Sequence, residues 1–188
     1  MELSKLSIKH IEDKLISIDI GDCWIAGGYI RDLLFNRKFS DIDVFGPDQE
    51  CLQAFIDTNF EGLTPIHKSK TVVTYNYKET KIQVVQKTFE SVEKCLDAFD
   101  YTICQFAWAG EDILTTPEAV LHAAQQHLYP HKIHKEFALD SLRRFQKYIK
   151  KGYTACGGSL AEVAKALSGV TEAEITDQFA KFYDQRFD

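Results

Sequence analysis

The stretch from residue 24 to residue 45 constrains the possible folds of this chain more than any other part of it. An apolar run is followed by Gly27 and Gly28, then by a short helical pattern, a turn, and a second apolar run that carries Asp41 and Asp43. This order predicts a strand, a glycine turn, a helix and a second strand. Glycines between a strand and a helix let a large ligand approach the backbone, and the N-terminus of the helix attracts phosphate. The stretch therefore predicts a phosphate-binding turn beside two carboxylates.

Asp41 and Asp43 lie two positions apart on the second predicted strand, so both side chains project from one face while Ile42 and Val44 face the core. Two neighbouring carboxylates repel each other unless a cation lies between them. Mg²⁺ or Mn²⁺ with a polyphosphate suits the pair, because Mg²⁺ takes one or two carboxylates together with phosphate oxygens. Arg31, in the first turn of the predicted helix, would add a charged fork to the phosphates. Each element alone is common in ordinary turns and edge strands, and the prediction rests on their order and spacing.

The overall charge limits the classes of partner. With a formal charge of −6, the chain is not predicted to coat nucleic acid through bulk electrostatics. One segment departs from this average, because His131 to Lys151 contains seven Lys or Arg residues against two acidic residues. Such a run is either a solvated helix face or a surface that faces phosphate.

The sequence also bears on location and on cysteine chemistry. No apolar run is long enough to cross a bilayer, and the N-terminus lacks the apolar core of a signal peptide. The expected location is therefore the cytoplasm, without a membrane partner. The five cysteines are widely spaced and none forms a Cys-x-x-Cys pair, so neither a zinc site nor a disulfide framework is predicted.

Periodicity divides the chain into a mixed α/β front, residues 1–115, and an all-helical back, residues 116–188. The front is predicted to open with an amphipathic helix over residues 6–16. Its clearest hairpin joins predicted strands at residues 71–75 and 81–85. The expected fold class is α+β, with a mixed sheet flanked by helices and a small helical region behind it.

Five segments of the sequence resemble one known family. The first two are Gly27-Gly28-Tyr-Ile-Arg31-Asp32-Leu-Leu and Ser40-Asp41-Ile-Asp43-Val. They resemble the signature of the class II CCA-adding and poly(A) polymerase enzymes, which belong to the DNA polymerase β-like nucleotidyltransferase superfamily. Three later segments resemble the family more loosely, the first being Ile82-Gln83-Val84. The second, Phe99-Asp100-Tyr101-Thr102-Ile103, is similar to the family's Arg-Arg-Asp-Phe-Thr motif. The third, Leu139-Asp140-Ser-Leu-Arg143-Arg144, is similar to its nucleotide-selecting Glu-Asp-x-x-Arg helix.

The resemblance implies a nucleotidyltransferase head followed by a neck-like helical region. It also implies metal-dependent transfer of a nucleoside monophosphate from an NTP to an acceptor hydroxyl, most directly a tRNA-like RNA 3′ end, with release of pyrophosphate. Small stand-alone members of this fold are often phage-encoded. The implied roles are metal binding by Asp41 and Asp43, triphosphate binding by Gly27, Gly28 and Arg31, ribose contacts by Asp100 and Thr102, and base contacts by Asp140 and Arg143, with Arg144 beside them.

Several departures from the family pattern leave other functions open. Gln83 stands where the family has an acidic residue, Ala98 and Phe99 replace the paired arginines, and Leu139 replaces the glutamate of the helix. The longer body and tail that hold tRNA in the family have no counterpart here, so a plain CCA-adding role is not expected. The alternatives are a non-catalytic nucleotide- or RNA-binding protein, and a transferase that acts on a protein or a small molecule.

Overall fold

A mixed sheet of eight strands organises residues 2–176, the part of the chain that the computed structural model describes. The strands are β1 (Ser4–Leu6), β2 (Trp24–Ala26), β3 (Asp41–Phe45), β4 (His67–Lys68), β5 (Val72–Tyr77), β6 (Thr80–Val85), β7 (Phe106–Trp108) and β8 (Ile113–Thr115). They stand in the order β1-β8-β7-β2-β3-β6-β5-β4. Neighbouring strands are antiparallel, except that β3 and β6 run parallel.

Helices flank this sheet and follow it, so the predicted α+β fold is confirmed. The α-helices that lie wholly within the described residues are α1 (Gly28–Leu34), α2 (Gln49–Phe60), α3 (Val92–Asp97), α4 (Pro117–Ala124), α5 (Ala138–Lys150) and α6 (Gly157–Ser168). In the described residues, no helix combines the length and the apolar composition of a membrane span. Residues 177–188 of the predicted helical region lie outside the described part of the chain.

The side chains of β3 alternate between the core and the opposite face of the sheet, as the sequence predicts. Ile42 and Val44 are fully buried and lie opposite Ile82 and Val84 of β6 in the parallel register. Because the side-chain period of a strand is two, these buried pairs turn the acidic residues of β3 to the other face. The core therefore sets the direction of both carboxylates.

The helices after residue 115 divide between two hydrophobic clusters. Ala119 and Ala123 of α4 belong to the main cluster beneath the sheet. Phe145 of α5 and Val163 of α6 instead pack with Tyr101 in a second cluster. The boundary between residues 115 and 116 stays a prediction, and α4 packs on the head while α5 and α6 pack on the segment around Tyr101.

The predicted amphipathic helix at residues 6–16 is wrong. Ser4–Leu6 forms the edge strand β1, and the chain continues through two short 3₁₀ turns. The hydroxyl of Tyr29 accepts a hydrogen bond from the backbone N–H of Ile16 and donates one to the carbonyl of Lys14. The first of these bonds satisfies an N–H that a helix over residues 6–16 would pair internally. The apolar residues of the segment still pack on the main cluster.

The predicted hairpin is confirmed. β5 and β6 pair through a turn at Lys78 and Glu79 in which both residues have positive φ. At the end of α5, Gly152 has φ +90° and its N–H donates to the carbonyl of Ile149 at 3.0 Å, which is a common way for a helix to end.

We expect Ile42→Ala to reduce the free energy of unfolding by about 3 kcal/mol, because it leaves a cavity in the core of the sheet. Ile66→Ala, at a side chain that is 57% exposed, is the matched control. It is expected to change the free energy of unfolding by less than about 0.5 kcal/mol. Urea denaturation measures both variants, and equal losses would contradict the buried position of Ile42.

Candidate active site

A cleft of about 630 Å³ opens where the sheet meets α5. Its lining joins the start of α1, residues of β3 and β6, the end of α3 and one face of α5. In the described part of the chain, Thr102 and Asp140 are absent from this lining. The other eight residues predicted from the sequence line it: Gly27, Gly28, Arg31, Asp41, Asp43, Asp100, Arg143 and Arg144.

The two carboxylates of β3 lie side by side on the cleft face of the sheet. Ser40 Oγ donates a hydrogen bond of 2.7 Å to Asp41 Oδ1. Asp43 stands opposite Ala26 of β2 on one side and Gln83 of β6 on the other. The neighbour that the parallel register places beside Asp43 is therefore a neutral amide.

The electrostatics of Asp43 fit a cation site. Burial, followed by the charge of Asp41, raises the pKa of Asp43 from 3.8 to about 7, while Lys147 and Arg144 act in the opposite direction. An ionised pair is therefore costly without a counter-ion. Residues 2–176 contain no group of three or more His, Cys, Asp or Glu side chains able to hold a metal by themselves. The donors suit an ion that takes two carboxylates and completes its shell with phosphate oxygens and water, as Mg²⁺ does.

The turn between β2 and α1 brings backbone close to the carboxylates. Gly27 has φ +97°, which residues with a side chain rarely adopt, and a Cβ on it would lie 3.8 Å from Asp43 Oδ2. A Cβ on Gly28 would lie 3.3 Å from Nη2 of Arg31. Gly27 is thus required by the backbone conformation, and Gly28 leaves room for the guanidinium.

The side chain of Arg31 is buried, and its guanidinium is bonded to other groups of the protein. Its side chain is 1% exposed, and Nε donates to Asp32 Oδ1 at 2.7 Å while Nη1 donates to the carbonyl of Ile103 at 3.1 Å. The rings of Tyr148 and Tyr153 lie 5.4 and 5.5 Å from its Cζ. Arg31 borders the cleft, but its guanidinium is engaged by protein groups.

The two residues predicted for the ribose side, Asp100 and Thr102, have different surroundings in the structure. Asp100 Oδ2 accepts a hydrogen bond of 2.7 Å from Nε of Arg144, and both residues line the cleft. Thr102 is buried, and its Oγ1 lies 2.9 Å from Nδ1 of His122 and donates to the carbonyl of Tyr129. Thr102 therefore fixes the segment that carries Asp100 and does not itself border the cleft.

Asp140 and Arg143 form an exposed pair near the N-terminal end of α5. Nη2 of Arg143 lies 3.5 Å from Oδ1 of Asp140, at the i,i+3 spacing of one helix face. Arg143 reaches the cleft, and Asp140 is placed to orient it.

The sequence predicted Arg143 and Arg144 as members of the basic wall of the cleft and left open whether the rest of the segment from His131 to Lys151 faces phosphate. Lys147 and Lys151 line the cleft together with Arg144, at spacings of three and four residues. Five of the seven basic residues between positions 131 and 151 line the cleft. The signal was in the sequence, because residues three and four apart share one helix face.

Two phenyl rings in the cleft were missed. Phe39 and Phe137 are 39% and 53% exposed, and both line the cleft. They lie outside any strand or α-helix, so hydrophobic periodicity did not reveal them. Exposed aromatic faces beside cations are the surfaces on which nucleobases stack.

Comparison with known proteins relates this chain to a phage family. A family model described as Gabija anti-defense 2 family protein matches residues 2–126. The protein named Gabija anti-defense 2 of Bacillus phage SPbetaL7 is 25% identical over 194 residues, which cover 100% of this chain and 48% of the relative. The chain therefore spans about half the length of this curated relative.

Solved structures of CCA-adding enzymes share the fold. A CCA-adding enzyme in complex with ATP superposes with a TM-score of 0.66 at 16% identity, over 89% of this chain and 46% of the enzyme. The Thermotoga maritima CCA-adding enzyme complexed with tRNA gives a TM-score of 0.56 at 19% identity, over 78% of this chain and 38% of the enzyme. The fold is therefore nucleotidyltransferase-like, and at these identities the likeness does not single out class II.

We expect Asp43→Asn to stabilise the metal-free protein at about pH 8 and to leave its stability at about pH 4 nearly unchanged. The folded pKa of about 7 lies above the ordinary 3.8, so the ionised carboxylate opposes folding above pH 7 and the penalty fades towards pH 4. Thermal unfolding in a chelator measures the difference. Asp57→Asn, at an exposed carboxylate of α2, is the control. A gain for Asp43→Asn that is equal at both pH values would contradict the raised pKa.

Proposed function

This chain belongs to the Gabija anti-defense 2 family, and we propose that it is a metal-dependent nucleotidyltransferase that moves a nucleoside monophosphate from an NTP to an acceptor hydroxyl. The observation that carries the proposal is the placement of Asp41 and Asp43 opposite the basic face of α5 in one cleft. Carboxylates that hold an ion, together with cations that hold a polyphosphate, are the parts that phosphoryl transfer requires. The fold shared with CCA-adding enzymes supports the same reaction class.

In this proposal the protein positions its substrates and stabilises charge. Asp41 and Asp43 would hold Mg²⁺ or Mn²⁺, which supplies charge neutralisation at the reacting phosphate. Gly27 keeps the space beside Asp43 Oδ2 clear for the triphosphate, and Gly28 leaves room for the guanidinium of Arg31. Around them we assign Asp100 and Arg144 to the ribose side, Thr102 to the support of that segment, Arg143 to the base, and Asp140 to the orientation of Arg143.

We propose an RNA 3′ end as the acceptor. One of the similar structures is a CCA-adding enzyme complexed with tRNA, and the cleft is rich in cations although the chain is acidic. Such a cleft suits an acceptor that brings its own phosphates. The family is named for opposition to the Gabija defence, so cells that carry this defence are the source in which to look for the acceptor. A protein hydroxyl is the alternative that the experiment must separate.

A second candidate function is nucleotide binding without turnover. Its support is Gln83, which lies beside Asp43 in the parallel register where the resembling enzymes have an acidic residue. Gln83→Glu separates the two functions. We expect the substitution to preserve or raise transfer in a transferase, because it adds a metal-side carboxylate, whereas a protein that only binds shows no transfer with either residue.

We expect Asp43→Asn to reduce transfer by at least about 100-fold, because it removes one of two carboxylates that hold the ion. Asp57→Asn on α2 is the matched control and is expected to keep the full rate. The assay supplies each α-labelled NTP with Mg²⁺ and a lysate of cells that carry the Gabija defence, and it separates labelled RNA from labelled protein.

Each outcome of this assay has a defined meaning. Label in RNA that depends on Asp43 supports the proposed acceptor, and label in protein moves the acceptor to a protein hydroxyl. Equal labelling by the wild type and by Asp43→Asn would contradict the role of the carboxylates. Nucleotide binding without any transferred label would favour the second candidate.

A further inference from the structure

We propose that Lys147 and Lys151, towards the C-terminal end of α5, form the polyphosphate subsite of the cleft. The inference rests on the proposed function and names the groups that hold the triphosphate. It assigns to two lysines the triphosphate-binding role that the sequence resemblance implied for Arg31.

Arg31 is not available for this role because its guanidinium is already engaged. It donates to the carboxylate of Asp32 and to the carbonyl of Ile103, and two tyrosine rings lie beside it. Turning it towards a phosphate would remove the 2.7 Å ion pair of Asp32, whose side chain is 5% exposed, and leave it the 3.9 Å contact with Lys151. Losing the close partner of a buried charge is strongly destabilising.

The two lysines, in contrast, face the cleft with few internal partners. Among the ion pairs of residues 2–176, none involves Lys147. Nζ of Lys151 lies 3.9 Å from Asp32 Oδ2, at the long limit of an ion pair. Arg144, one turn earlier on the same face, is bound to Asp100 at 2.7 Å. The two ammonium groups are therefore less engaged by protein groups than the guanidinium of Arg144.

The positive charges of Lys147 and Lys151 also repel each other. Lys147 lies in the last turn of α5 and Lys151, four positions on, caps its C-terminal end, so their like charges repel. Burial lowers the pKa of Lys151, Asp32 acts against this, and Lys147 and Arg31 lower it further. A polyanion between the two ammonium groups relieves this repulsion.

The lysines and the carboxylates border the same space. The charge of Lys147 acts on Asp43, and the charge of Asp41 acts on Lys151. A triphosphate that shares an ion with the carboxylates is therefore within the field of both ammonium groups. Lysine suits this contact, because it binds phosphate as a point charge without the fixed fork geometry of arginine.

The test uses inorganic tripolyphosphate with Mg²⁺ as the probe, because this ligand has no base and no transferable nucleotide. Isothermal titration calorimetry compares the wild type with Lys147→Gln and Lys151→Gln. Lys150→Gln is the matched control, because Lys150 is exposed on the same helix and is absent from the cleft lining in the described residues. We expect each cleft variant to bind tripolyphosphate roughly tenfold more weakly and the control to stay within about twofold of the wild type.

Thermal unfolding of every variant confirms that the fold is kept, and Lys147→Arg is expected to retain binding because it retains the charge. Affinities unchanged in both glutamine variants, or no binding of tripolyphosphate to the wild type, would overturn the subsite. Either result is compatible with label transferred to RNA, in which case the proposed function stands alone. Weaker binding in the glutamine variants without any transferred label would support the subsite and contradict the transferase.

Discussion

Arg31, buried in an ion pair with Asp32 of the same helix, joins the two parts of the protein that form the cleft. It belongs to α1, yet it bonds the carbonyl of Ile103 and lies beside the rings of Tyr148 and Tyr153. Both charges are almost fully buried, so each offsets the desolvation of the other only while the pair is intact. The position of α5 against the sheet depends on this contact.

Two further bonds set the rotation of α5 about its own axis. The hydroxyl of Tyr101 donates to the carbonyl of Ser141 at 2.6 Å, and Arg144 is tied to Asp100. With these points fixed, residues at spacings of three and four beyond Arg144 also turn towards the carboxylates. This explains how a chain with a formal charge of −6 presents a basic wall, since the positive charge is concentrated on one helix face.

Short-range patterns predicted the part of the site that β2, α1 and β3 build. The glycine turn, the alternation around Ile42 and the confirmed hairpin all depend on neighbours in sequence. Sequence patterns were insufficient where contacts between residues far apart in the sequence determine the local structure. Residues 6–16 have a helical period, but pairing with β8 and the hydroxyl of Tyr29 dictate another structure. The phosphate role of Arg31 stays a prediction, and its bond to a carbonyl 72 residues away could not be foreseen from neighbours in sequence.

The two walls of the cleft are encoded in separate stretches of the chain. The carboxylates and the glycine turn lie within residues 2–126, the range that the family model matches, whereas α5 begins at Ala138. Substitutions along one face of α5 can therefore change the charge of the basic wall while the strand that carries the acidic pair keeps its sequence. Two walls that vary separately are a form of evolvability in a family named for countering a defence.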